Sequence, residues 1–190
     1  YQANVSTSSS FIKYNKKLKT VKKKVYKFST LRQKYKIKNI DILKIDIEGL
    51  ELNVLRSILK FKCPLIIEIE ANFKNSNFGD TFTSIHNFLS KKYILETIFP
   101  TYQSFENNFN SHLKNFNVGT YASPTYRNSI SQMDCYYILN KRHYNIKDLM
   151  LLLGYGFVDK AIGLFKNIGN EISQNQKENF HKILRILNDK

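Results

Sequence analysis

The segment DILKIDIEGLELNVL at 41–55 places four acids within eleven positions of a chain otherwise dominated by lysine. Asp46 and Glu48 stand two apart, Gly49 follows, and Glu51 comes two positions later. A second acid pair, Glu68 and Glu70, sits in CPLIIEIE at 63–70. Carboxylates so grouped can take a proton from a substrate hydroxyl, orient that hydroxyl, or ligate a hard cation. Each role needs the carboxylate at a solvated rim or beside a partner, because a buried, unpaired one is expensive.

The flanking residues say where such a rim would lie. Residues 40–47 and 65–70 carry few polar interruptions, the pattern of parallel strands covered on both faces. Two-residue alternation puts Ile42, Lys44, Asp46 and Glu48 on one side and Leu43, Ile45 and Ile47 on the other. Asp46 and Glu48 then emerge at the strand's carboxyl end, the edge where open α/β sheets bind ligands. Glu68 and Glu70 repeat the device on the next strand. Gly49 is expected to turn the chain into a helix over 49–60, where Leu50, Val54 and Ile58 recur at helical spacing. Acids in a first helical turn offset the helix dipole by roughly 0.3–1 kcal/mol. Glu51 is read that way and Glu48 shares the role, whereas Asp46 is read as a site residue.

Around these segments the spacing predicts a strand over 25–28 and a short helix over 31–35 capped by Ser29 or Thr30. A helix over 81–91 would turn Phe82, Ile85, Phe88 and Leu89 inward. Strands over 93–99 and 133–139 flank an Asn-rich connection at 103–130, long enough to be read as a lid or insertion. This alternation is that of a doubly wound α/β domain. From 145 onward the pattern is helical, with helices expected over 148–153, 158–168 and 171–187. GYGFVDKAIGLFKNI at 154–168 is similar to one helix hairpin of a tetratricopeptide-type repeat. A single such hairpin cannot bury its own face, so it is expected to pack on the main domain or present a partner surface. The domains are therefore read as 1–140 and 141–190.

Composition narrows the classes. At 190 residues, 42% hydrophobic and 14% aromatic, the chain can bury a core. The longest apolar candidate, 149–158, is broken by two glycines and falls short of a membrane span. Cys63 and Cys135 sit beside apolar residues without ligand spacing and are read as buried free thiols. His86, His112, His143 and His181 form no metal-binding pair. Asn4-Val5-Ser6 matches a glycosylation sequon but carries little weight by itself. Net charge is +15, residues 1–40 contain no acid, and lysine is dense over 13–38. Such a run could meet nucleic acid or an anionic membrane. It holds a single arginine, and Tyr14, Tyr26 and Phe28 follow no RNA-binding pattern. It is therefore read as a solvated face, with nucleic acid not expected as a partner and a cytoplasmic location expected.

DILKIDIEGLELNVLRSI closely resembles the signature LKiDvEGxExxvLxG of the FkbM-type methyltransferases, which move a methyl group from S-adenosylmethionine to hydroxyl oxygens. FSTLRQKYKIKNIDILKIDIEG is similar to the segment leading into that signature, CPLIIEIE to the strand after it, and SQMDCYYIL to the last strand. The resemblance runs over roughly 2–139, and Ser57 stands where the family often has glycine. It implies a class I methyltransferase, Rossmann-like, with seven strands in order 3-2-1-4-5-7-6. Residues 25–28, 42–47, 65–70, 93–99 and 133–139 would be strands 3, 4, 5, 6 and 7. It further implies S-adenosylmethionine as cofactor and a hydroxyl acceptor such as a glycan sugar. Asp46 would orient or deprotonate that hydroxyl, or ligate a divalent metal. Glu68 would be the second catalytic acid, and Lys44, Glu48, Gly49 and Glu70 would support them.

The family's cofactor loop follows strand 1, and an acid ending strand 2 holds the ribose. No glycine precedes Gly49 in this chain, so the first two strands are read as missing and no cofactor-binding residue is assigned. Strand 4 would then expose an apolar edge, an aggregation hazard. Three explanations follow. The chain could be the carboxyl-terminal part of a longer protein, the reading preferred given its start at Tyr1. Another chain could complete the sheet, or the domain could be a remnant. The leading expectation is an O-methyltransferase. The alternative is a non-catalytic, partner-binding remnant, and nucleic-acid binding through the lysine run ranks third.

Overall fold

Runs of isoleucine build the centre of the N-terminal unit. The computed structural model describes residues 24–47, 49–73, 80–103 and 129–189. The chain divides into two compact units, 1–139 and 140–190. In the first, the described elements are α1 (Phe28–Lys34), β1 (Ile42–Ile45), α2 (Glu51–Leu59), β2 (Ile66–Asn72), α3 (Phe82–Leu89), β3 (Tyr93–Gln103) and β4 (Ser129–Leu139). The four strands form one mixed sheet in the order β1-β2-β4-β3.

β1 and β2 are parallel, with Lys44 opposite Glu68 and Ile45 opposite Ile69. β4 runs antiparallel to both neighbours, bringing Tyr136 opposite Glu68, Asp134 opposite Glu70, and Phe99 of β3 opposite Asp134. Ile45, Ile67, Ile69, Met133, Cys135 and Tyr137 turn toward a core that includes Leu52 and Leu55 of α2 and Ile85 and Leu89 of α3. Polar atoms in this layer are paired: Tyr93 Oη donates to the Pro64 carbonyl at 3.0 Å, and Tyr137 Oη meets His86 Nδ1 at 3.2 Å. The opposite face carries Lys44, Glu68, Glu70, Asp134 and Tyr136.

The helices begin where local chemistry supplies acceptors for their free N–H groups. Thr81 caps α3 by accepting from Ser84 N at 3.3 Å. α2 has no such cap on Leu50; Asp80 reaches in from elsewhere, its Oδ2 accepting from Leu52 N at 2.8 Å. Gly49 precedes it at φ 120°, a region that side chains rarely enter.

Two expectations are corrected here. Residues 25–28 do not form a strand: 24–27 are irregular and Phe28 opens α1. Phe28 instead packs its ring on Phe61, centroids 6.0 Å apart, and Lys27 rather than Ser29 or Thr30 is the N-cap, its carbonyl accepting from Thr30 N and Leu31 N. The strands β3 and β4 also reach past the expected limits of 99 and 133, so 103 and 129–130 pair instead of joining the connection. Residues 104–128 of that connection, and Glu48, lie outside the described residues. Cys135 is buried as expected, whereas Cys63 is only half-buried; both are free thiols.

The second unit holds α4 (Ile146–Gly154), α5 (Val158–Ile168) and α6 (Gln174–Asn188). Asn145 and Asp148 close a capping box on α4, and Lys141 Nζ donates to Asp148. The chain leaves α4 through Gly156 at φ 90°, with Phe157 N reaching back to the Leu152 carbonyl at 2.9 Å. α5 and α6 meet through Phe165 and Phe180, stacked at 4.1 Å with Phe180 fully buried.

Candidate active site

Period-two alternation and parallel pairing bring most of the expected site residues onto one face at one end of the sheet. Lys44, Glu68 and Tyr136 form a row across β1, β2 and β4. Glu70, Asp134 and Phe99 form the next row toward the carboxyl ends of β1 and β2. Asp46 follows the last residue of β1 and is exposed. Its charge reaches Asp134 across the sheet.

Glu68 is buried, 8% exposed, and is held there by specific partners. Lys44 Nζ donates to its Oε1 at 2.5 Å. That hydrogen bond and the Glu68 charge raise the Lys44 ammonium above its ordinary value. Burial, then the charges of Glu68 and Asp134, push the Tyr136 phenol up, and Tyr136 also shares a hydrogen bond with Glu68. Asp134 is raised as well, by burial first and then by the Glu68 charge, with Asp46 adding and Lys44 opposing. A carboxyl group raised in this way keeps more basicity as an anion, which is what a proton acceptor needs.

Phe99 edges this row. It is 60% exposed and meets Tyr136 edge-to-face at 5.5 Å. An exposed ring beside hydrogen-bonding carboxylates is a surface that the apolar face of a polyhydroxyl ligand can cover.

The remaining members of the acidic segment do other work. Glu51 stands in the first turn of α2, as read from sequence, but it is also buried at 3% exposure. Its Oε1 accepts from Gly49 N at 2.7 Å, so it fastens the turn that Gly49 makes. Its Oε2 has no hydrogen-bond partner among the described residues, and burial raises its pKa. Asp134, Tyr136 and Phe99 escaped the sequence reading as site residues. The alternation of Asp134 and Tyr136 in SQMDCYYIL puts them on one face, but the pairing that sets this face beside Glu68 and Glu70 is a tertiary fact. Burial pushes the neighbouring Cys135 thiol up to about 12, so it is unreactive at neutral pH.

A divalent metal finds no ready site here. Among the described residues, no group of three or more His, Cys, Asp or Glu is placed to hold a metal ion. No described helix is long and apolar enough to cross a membrane.

No curated protein and no solved structure matches the chain. A family model does match, over 2–95, a shorter span than the 2–139 of the resemblance; SQMDCYYIL falls outside it. It covers KIDIEGLE, CPLIIEIE and the elements from α1 to the start of β3. Residues 2–95, the N-terminal part of the chain, match the model of the methyltransferase FkbM domain.

Proposed function

We propose that the chain is part of an S-adenosylmethionine-dependent O-methyltransferase whose acceptor is a hydroxyl, with a glycan sugar as the preferred acceptor class. The observation that carries this reading is the group of acids at the carboxyl ends of β1 and β2: Asp46 and Glu70, both within the matched segment, and Asp134, which pairs with Glu70 from β4. The order β1-β2-β4-β3 supports a class I assignment, because it corresponds to strands 4-5-7-6 of that sheet. The exposed Phe99 ring beside the acids supports a sugar.

S-adenosylmethionine supplies a methyl group on a sulfonium when bound. The described residues fit the acceptor side of that reaction and not the nucleoside side. Gly49 is the only glycine described in the N-terminal unit, and its amide is already taken by Glu51. On the acceptor side, Asp46 would accept a hydrogen bond from the incoming hydroxyl and fix its direction. An alkyl hydroxyl is a very weak acid, so its proton passes to the carboxylate only as the new bond forms, and alignment dominates the rate. Glu68, fixed by Lys44 and Tyr136, holds the floor of the face rigid.

The test combines calorimetric binding of S-adenosylmethionine to the complete protein that carries this chain with transfer of a labelled methyl group by it to a panel of mono- and oligosaccharides. O-methylated product is expected. Failure to bind the cofactor would replace this reading with the non-catalytic, partner-binding one.

A further inference from the structure

The sheet of the N-terminal unit is electrically polarised. Asp46, Glu70 and Asp134 gather where β1 and β2 end, whereas lysines outnumber the single Asp41 where β1, β2 and β3 begin. Lys36 and Lys38 precede β1, Lys60 and Lys62 precede β2, and Lys91 and Lys92 precede β3. All six are exposed. The three turns meet at one edge: Leu65 N donates to the Asp41 carbonyl at 2.8 Å, and Tyr93 Oη donates to the Pro64 carbonyl. Between α2 and α3 this edge opens a groove of about 420 Å³. Arg56, Lys60, Lys91 and Lys92 line it over an apolar floor of Leu59, Phe88 and Leu89, with no acid among the lining residues. No described carboxylate is ion-paired with these four cations.

Large apolar and aromatic side chains stand exposed beside the same edge. Tyr35, 62% exposed, directly precedes Lys36. Val25 and Tyr26, 68% and 44% exposed, lead into Phe28, which rests on Phe61 between Lys60 and Lys62. Lysines at helix C-termini also offset the helix dipole, which accounts for Lys60 and Lys91. It does not account for the exposed Val25, Tyr26 and Tyr35.

We propose that this edge docks on an anionic phospholipid bilayer. The lysines would face the headgroups, the α2–α3 groove would take a headgroup phosphate, and Val25, Tyr26 and Tyr35 would sit at the interface. Three features favour lipid over nucleic acid. The cations are mostly lysine, a compact point charge on a flexible stem that lacks the planar fork with which arginine reads nucleic acid. The groove floor is aliphatic and aromatic without an open stacking platform, since the Phe88 ring already lies under Arg56 at 5.8 Å. Exposed tyrosines beside basic residues also suit the headgroup layer. The acidic face would then open at the sheet's opposite end, away from the lipid.

The test is flotation of the full chain with vesicles of phosphatidylcholine alone or with 30% phosphatidylglycerol. Binding is expected only to the anionic vesicles and should fall steeply with salt. Each lysine near such a surface is worth about a fivefold change in partition. The six lysines at 13–23 add background attraction, so Lys60→Glu/Lys62→Glu/Lys91→Glu/Lys92→Glu is expected to weaken binding at least about tenfold. Lys166→Glu/Lys182→Glu, which lies on the C-terminal helices, should leave it nearly unchanged. Tyr26→Ser/Tyr35→Ser, a milder change on exposed positions, should weaken binding at high salt and so tests the proposal independently of the charge reversals. Three results would overturn it: equal binding to neutral vesicles, equal loss in the control variant, or tighter binding to a single-stranded oligonucleotide than to anionic vesicles.

Discussion

Replacing Lys44 with methionine keeps the stem but removes the charge that holds Glu68, and the cost can be worked from the pair's geometry. At 2.5 Å, two unit charges attract by roughly 1.7 kcal/mol at the dielectric of water. Lys44 is 60% exposed, which screens the pair toward the roughly 0.2–1 kcal/mol of surface ion pairs. The Glu68 end is only 10% exposed and so is screened less. A coupling of about 1 kcal/mol is therefore expected from a double-mutant cycle of Lys44→Met and Glu68→Gln, read by urea unfolding. The folded-state pKa of Lys44 is raised, so its contribution is fully present below the unfolded lysine value and fades as pH climbs through the folded one. Lys44 also opposes the upward shift of Asp134, so its loss should raise the Asp134 pKa further, which a carbon-13 carboxyl titration would show. A coupling below about 0.3 kcal/mol, together with an unmoved Asp134, would refute this view of the face as one electrostatic unit.

Further outcomes are expected elsewhere. Glu51 has a raised folded-state pKa, so its ionised form destabilises the fold above that pKa and costs nothing below the unfolded value. Glu51→Gln should therefore gain stability relative to the parent as pH rises from 4 to 7, and a flat difference across that range would contradict it. Leu55→Ala removes a side chain with no exposed surface from the α2–sheet core and should cost about 2–5 kcal/mol in thermal or urea unfolding. Asp148→Ala breaks the α4 capping box and its Lys141 pair, and should cost the C-terminal unit about 1–2 kcal/mol.

The strands and the covering helices were legible because their signals are local. Isoleucine at 42, 45, 66, 67 and 69 defines strands regardless of what they meet, and the spacing of Leu50, Val54 and Ile58 marks α2 as a helix, although its buried face is Leu52, Leu55 and Ile58 while Leu50 is exposed. The stretch 25–28 misled for the same reason. VYKF alternates like a strand, but a strand needs a partner, and the Phe28–Phe61 contact favours a helix start. The acids of β1 and β2 could be placed at the carboxyl rim from alternation alone. Asp134 and Phe99 could not, because the expected strand order carries no register, and it is the register of β4 against β2 and β3 that sets them beside Glu70. The burial of Glu51 was likewise hidden, since it depends on Asp80 arriving at the same helix end from 28 positions beyond Leu52.

The central claim is that the carboxylate after β1 handles the acceptor hydroxyl. Labelled-methyl transfer by the parent, Asp46→Asn and Glu51→Gln, each checked for folding, tests it most directly. Asp46→Asn keeps the shape and removes the proton acceptor, so turnover should fall by about 10²–10⁴. Glu51→Gln, which acts on the turn and not on the acceptor, should retain most of its activity at neutral pH. Unchanged turnover in Asp46→Asn would contradict the account.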